Sequence, residues 1–294
     1  MTIDLSSLSG IQRQNWLQHA IAPRPIALVS SIDANGQVNL SPFSFFNLFS
    51  STPPIVVFSP SRRVRDNTTK HTLENVQILP EVVINIVDGD IVQQMSLSSC
   101  EYPKNVNEFH KAGFTMQPSD RVKPPRVKES KIQLECAVRQ IIPLGTEGGA
   151  GNLVVCEVLL MHVQEEILQA DQSMIDPLKI HQVARMGGDW YSIVGKDNMF
   201  VVEKPNVKLG IGFDLLPASI RESRILTGNQ LAQLANVEAQ PDIDPTFNDP
   251  HVRHIVQYYA TNPEDMEDEL HRYAATLLTE GKVPAAWQVL LTLS

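Results

Sequence analysis

The sequence predicts a mainly β domain with peripheral helices, followed by an α-helical C-terminal extension. Three observations predict it. Apolar runs rich in β-branched residues recur between turn signals at residues 26–32, 55–59 and 81–87. Two long segments, 131–142 and 152–167, flank a turn at 145–151 that holds four glycines, which makes a long hairpin. Beyond Pro205 the pattern becomes helical, with helices expected from Thr227, over 252–260, from Pro263 to about Glu280 and from Pro284 onward. The expected domains are residues 1–210 and 211–294.

Composition narrows the function classes. A chain of 294 residues with 43% hydrophobic content has enough apolar surface for a full core, so global disorder is excluded. The net charge of −9 lies mostly in residues 214–294, where twelve acids face five bases. An acidic protein lacks the basic footprint of sequence-independent nucleic-acid binding. Cys100, Cys136 and Cys156 are odd in number and widely spaced, which fits a reducing compartment rather than a disulfide framework or a CxxC zinc site, and no metal site is expected. The first residues show no basic start and no apolar leader core. The longest apolar stretch, 153–163, is interrupted by Glu157 and is too short to span a bilayer, so the expectation is a cytoplasmic protein without a membrane segment.

Taken in order, residues 11–19 read as a short helix that packs through Trp16 and Leu17. Pro23 and Pro25 keep Arg24 extended, as a surface charge at a strand edge or as a ligand-side group. The run 26–32, the Asn35-Gly36 turn and a returning strand at 38–41 form a tight hairpin. In residues 41–47, hydroxyls and an amide alternate with aromatic rings, and Pro42 interrupts the ladder. Such a segment can offer backbone amides to a planar heteroaromatic ligand. The strand 55–59 leads into Arg62, Arg63, Arg65 and Lys70, interleaved with five hydroxyls and opening a helix at 68–78. That is either a solvated loop or an anion-binding helix N-terminus. Residues 81–87 are too continuously apolar for a strand wet on one face, and 90–97 suits a helix. The stretch 98–129 is loop-like, with a short helix at 106–112. The GTEGGAG turn joins two strands and lacks a Walker lysine, so it is a flexible hairpin tip and not a phosphate loop. After a short helix at 176–183, Gly187-Gly188 bends the chain to bring Arg185, Trp190 and Tyr191 together, with Trp190 in the core, and strands through Ile193 and 199–202 close the barrel.

The succession PRPIALVSS, NG, NLSPFSFFN, PPIVVFSPSR, KHTLENV and VVINIV, continued by Ser98, Asn107-Glu108-Phe109, Glu135-Cys136 and residues 185–191, resembles the flavin reductase-like branch of the FMN-binding split barrels. The likeness spans about residues 18–205. It implies a six-stranded Greek-key-like barrel, a homodimer, FMN as cofactor and NAD(P)H as co-substrate. It also implies an oxidoreductase that passes hydride from nicotinamide to FMN and electrons onward, to a partner oxygenase for example. On this resemblance, backbone groups of Leu40, Ser41 and their neighbours up to Asn47 meet the isoalloxazine edge. Ser44 and Asn47 add side-chain hydrogen bonds, and Phe45 forms an apolar wall. The phosphate falls to Ser59, Arg62, Lys70 and Thr72. Where the family reads Lys-Asp-Thr this chain has Lys70-His71-Thr72, a titratable ring in place of an acidic cap. No catalytic acid, base or nucleophile is expected, because the cofactor carries the reactivity. The alternative is a flavin-binding or interaction protein whose acidic helical tail docks a partner without reductase turnover. A pyridoxamine-phosphate-type oxidase shares the barrel.

Overall fold

The computed structural model describes residues 1–204 and 209–293, so the composition change at Pro205 lies outside the described residues. The chain divides into two compact units, Met1–Met199 and Phe200–Ser294. The first opens with α1 (Gly10–Ala20), β1 (Arg24–Pro25), β2 (Ala27–Ile32), β3 (Val38–Phe43), β4 (Phe46–Ser51), β5 (Pro54–Phe58), α2 (His71–Ile78) and β6 (Glu81–Ile86). It continues through α3 (Val92–Leu97), α4 (Glu108–Ala112), β7 (Met116–Gln117), β8 (Arg126–Val127), β9 (Ile132–Pro143), β10 (Asn152–Val163), α5 (Pro177–Ile180), β11 (Val183–Arg185) and β12 (Tyr191–Ile193).

The main sheet is antiparallel, in the order β3-β2-β6-β9-β10-β5-β4, seven strands where six are expected. Its two edge strands, β3 and β4, are joined by only Ser44 and Phe45. Three residue steps reach at most about 11 Å. Six strand spacings of about 4.8 Å would hold the edges of a flat sheet roughly 29 Å apart. The sheet must therefore curl until its edges meet, and the seam at residues 44–45 is where the barrel is split.

Burial on both faces explains why β2 and β6 are so rich in apolar residues. On one face Ala27, Val29, Val82 and Ile84 join Phe43, Phe58, Cys136 and Cys156, with Leu73 and Val76 of α2 in the same cluster. On the other face Ile26 and Leu28 pack with Leu40, Met95 and Phe109 under α3 and α4. Helix α2 is fixed to the first hairpin by two buried bonds, Asn39 Nδ2 to Thr72 Oγ1 at 2.9 Å and Asn75 Nδ2 to Ser31 Oγ at 3.0 Å.

Several local expectations change. The first hairpin turns through a five-residue loop, not a two-residue one. Asp33 N donates to Gln37 O at 3.0 Å and the Asp33 carboxylate accepts from Asn35 N and Gln37 N, while Gly36 takes a φ of +79° that favours glycine. Pro42 does not end the ladder, because β3 is an edge strand and needs no donor on its outer side. Residues 199–202 form no strand. The last strands, β11 and β12, instead build a separate three-stranded sheet with β1. Trp190 is 77% exposed rather than packed, whereas Arg185 does stack on Tyr191, its Cζ 4.5 Å from the ring centre. Helix α1 buries none of its residues, and Trp16 and Leu17 face outward. Arg24 is neither a surface charge nor a cleft residue. Its buried guanidinium donates to the carbonyls of Gln18 and Ile21 at the end of α1 and of Met186 in the β11–β12 turn.

The second unit is helical: α6 (Ala218–Arg221), α7 (Gly228–Ala235), α8 (Pro250–Tyr258), α9 (Pro263–Thr279) and α10 (Val283–Leu290). Thr227 caps α7 through a reciprocal bond with Gln230, Asp249 caps α8, and Asn262 caps α9, each an oxygen before an apolar-periodic run. Gly281, at φ +73°, ends the α9 segment. These helices share one core in which Trp287 is fully buried and donates from Nε1 to Leu234 O at 3.2 Å. Among the described residues no helix is long and apolar enough to cross a membrane.

Candidate functional site

The barrel seam and the cationic loop meet in a cleft of about 170 Å³. Its walls are Ser41, Pro42 and Phe43 at the end of β3, Ser44 and Phe45 of the crossover, Ser59, Ser61 and Lys70 of the loop after β5, Gln18 of α1, and Ser99 beyond α3. The seam and the loop are joined directly, Ser59 N donating to Phe45 O at 2.8 Å. Phe43 is buried against Phe58, ring centres 5.2 Å apart, while Phe45 stays 41% exposed at the mouth. Because Ser44 and Phe45 lie outside both strands, their amides have no ladder partner.

The loop from Ser61 to Lys70 is braced by its own charges. Arg62 donates from Nε to Asn67 Oδ1 and from Nη2 to Asn67 O, both at 2.6 Å, and Asn67 adopts a φ of +57°. Arg63 donates to Thr68 Oγ1 and Thr69 O. Asp66 caps Thr68, whose hydroxyl and amide hold the Asp66 carboxyl down to about 2. The glycine turn is pinned to this loop and is not a flexible tip. Arg62 N donates to Ala150 O at 2.8 Å, Gly149 N donates to Arg62 O at 3.0 Å, and Gly148 has the Arg63 and Val64 carbonyls so close that a Cβ would sit 3.1 Å from each.

Lys70 differs from its neighbours. It is the N-cap residue of α2, which begins at His71 and not at Thr68, and among the described residues its ammonium has no hydrogen bond or ion pair. Burial lowers its pKa, Arg63 pushes the same way, and Glu101 opposes them. Burial likewise lowers His71, in the first turn of α2. A half-buried cation with no ion pair among the described residues, in a cleft it shares with Ser59, Ser61 and Ser99, is chemistry suited to an anion.

Of the residues expected from sequence, Ser41, Ser44, Phe45, Ser59 and Lys70 come together here. The other four do not line the cleft. Leu40 is fully buried and its amide donates to Glu108 Oε2 at 2.9 Å, a carboxyl whose pKa burial raises. Thr72 is buried with its hydroxyl on Asn39. Asn47 is exposed on β4 and accepts from the amide of Leu48 at 2.8 Å. Arg62 is turned onto Asn67. Gln18 and Ser99 also line the cleft, and sequence gives no local signal for either, since each lies far from the motif.

A second cluster, Asp120, Glu135 and His162, brings three potential ligand atoms within 4.8 Å of one another. Glu135 there is fully buried and already accepts the amides of Asp120, Arg121 and Val122, with His162 Nε2 at 2.7 Å and Arg126 Nε at 3.9 Å. Its lone pairs are occupied and a guanidinium stands close by, so the cluster fastens the 120–122 loop to β9 and β10.

The comparisons agree with this architecture. A protein of Halalkalibacterium halodurans described only as uncharacterized is 34% identical over 209 residues, 70% of this chain and 98% of its own. Another, from Aquifex aeolicus, is 37% identical over 171 residues, 58% of this chain and 84% of its own. Among solved structures, nitrilotriacetate monooxygenase component B from Bacillus cereus matches with a TM-score of 0.64 and 27% identity, covering 69% of this chain and 98% of that one. The 2-nitrobenzoate 2-nitroreductase of Pseudomonas fluorescens matches with a TM-score of 0.63 and 26% identity, covering 72% and 100%. The family model described as the flavin reductase like domain matches residues 19–181, which include the seam, the cationic loop and the long hairpin. The chain belongs to the flavin reductase-like family, and its barrel is the split barrel of that family.

Proposed function

We propose that this protein is an FMN-binding oxidoreductase that takes hydride from NAD(P)H. The observation that carries the proposal is the pairing, in one cleft, of a hydroxyl-lined barrel seam with the unpartnered Lys70 ammonium. The donor set fits a flavin mononucleotide, with a cation and the Ser59 and Ser61 hydroxyls for the phosphate, and unladdered amides at Ser44 and Phe45 for the polar edge of the ring system. When bound, the flavin supplies the redox chemistry by accepting a hydride. The chain binds and orients it, Phe43 and Phe45 exclude water from one side, and no side chain has to move a proton. The proposed cofactor-binding residues are Ser41, Ser44, Phe45, Ser59, Ser61 and Lys70.

The cleft is smaller than the roughly 300–1,000 Å³ of a complete small-molecule site. Exposed apolar side chains stand on two of the elements that border it: Trp16 and Leu17 on α1, and Leu48 and Phe49 on β4, which continues from the seam. A homodimer that buries these faces and completes the wall from the second copy accounts for both facts. The Bacillus cereus match is a monooxygenase component, and a partner oxygenase is the corresponding electron acceptor proposed here. The separate helical unit, with its own core, favours a second role in docking a partner, and residues 1–210 and 211–294 are proposed as the functional domains.

The test is titration of the purified protein with FMN, followed by anaerobic addition of NADH or NADPH. Yellow protein that bleaches supports the proposal. Colourless protein that neither binds FMN nor oxidises either nucleotide refutes it and leaves the docking role.

A further inference from the structure

The cationic loop is held by a carboxylate that flavin binding does not call for. Glu101 follows Ser99 of the cleft wall by two residues. Its Oε1 accepts from Arg63 Nε at 3.1 Å and its Oε2 from Arg65 Nη2 at 2.9 Å. A second pair, Lys104 Nζ to Glu74 Oε2 at 3.1 Å, ties the same segment to α2. Arg63 does not line the cleft but is fixed in the loop next to Lys70, its side chain only 15% exposed and bonded to Thr68 and Thr69, and both its charge and that of Glu101 act on Lys70. A carboxylate in this position occupies guanidinium donors and repels any anion that approaches Lys70. Lys70 and the serines already offer a phosphate a cation and hydroxyls, and a carboxylate whose charge reaches Lys70 opposes that attraction.

We infer that Glu101 sets how tightly the cleft holds a phosphate group, its carboxylate competing with the flavin phosphate for Arg63 and for the field at Lys70. The inference rests on the flavin reading above. Relief of a single like charge near the phosphate corresponds to about a three- to tenfold change in affinity at moderate ionic strength.

The experiment compares dissociation constants of FMN and of riboflavin, which lacks the phosphate, by quenching of flavin fluorescence in wild type, Glu101→Gln and Glu101→Asp. Glu101→Gln tightens FMN about three- to tenfold and leaves riboflavin unchanged, and Glu101→Asp, which keeps the charge, stays near wild type. Glutamine keeps one acceptor oxygen for Arg63 Nε, whose side chain is only 15% exposed, and unchanged far-UV circular dichroism and melting check that the loop and fold are intact. If FMN weakens in Glu101→Gln, or if FMN and riboflavin shift together, Glu101 only positions the loop and the inference fails while flavin binding stands. If wild type binds neither flavin, the functional proposal fails and takes the inference with it.

Discussion

Replacing Lys70 with alanine separates a binding residue from a structural one. The ammonium is half-buried without a carboxylate partner, so its removal leaves no orphaned charge and relieves a desolvation cost. The melting temperature of Lys70→Ala is expected to stay level or rise. The FMN affinity should fall by one charge-assisted contact, about 1.5–3 kcal/mol, which is a rise in Kd of about 10- to 150-fold. Riboflavin affinity should stay the same. The pH dependence has a definite sign. The protonated amine binds the phosphate, and burial has lowered its pKa from the ordinary 10.5, so FMN affinity should decline with rising pH earlier than an exposed lysine would cause. Titration of wild type and variant with both flavins, beside a thermal melt of each, measures every term. A Kd for FMN within about threefold of wild type, or an equal loss for riboflavin, refutes the assignment of Lys70 to the phosphate.

Further outcomes follow from contacts described above. Gly151→Ala would set a Cβ 2.7 Å from Ser59 Oγ and displace that hydroxyl from the cleft, weakening FMN about fivefold without unfolding the barrel, as read by flavin titration and circular dichroism. Glu135→Gln keeps one acceptor oxygen but turns an amide NH₂ toward the other set of partners, either Arg121 N and Val122 N or Asp120 N and His162, and removes the buried charge beside Arg126; it should cost about 3–5 kcal/mol in urea unfolding. His271 is 5% exposed with its Nδ1 2.7 Å from Ser223 Oγ, and burial lowers its pKa below the ordinary 6.5. The unfolded chain therefore takes up this proton first, and the helical unit should lose stability as pH falls below about 6.5. Melts followed by the emission of buried Trp287 at pH 7 and pH 5 test this, and a His271→Gln variant should show the smaller difference.

Periodicity and turn chemistry made much of the fold legible. Caps at Thr227, Asp249 and Asn262 and the stop at Gly281 act within a few residues, so the helical unit could be read to within about a turn. The long hairpin was legible for the same reason. Expectations failed where a residue's surroundings are set by distant chain. Trp190, Trp16 and Leu17 are apolar, which favours the interior, yet nothing in the first unit covers them. Arg24 sits among carbonyls contributed by α1 and by Met186, 162 residues away. The cleft was legible in its two motif segments, but not in which side of each segment faces it. Ser41 lines the cleft while Leu40 is buried with its amide on Glu108, and the first turn of α2 directs Thr72 inward to Asn39.

The two-residue link between β3 and β4 ties the two edges of the curled sheet to each other. A ligand lodged against Ser44 and Phe45 therefore acts as a clasp on the whole cylinder. Occupancy should slow amide exchange in strands on both sides of that clasp, including ones it never touches.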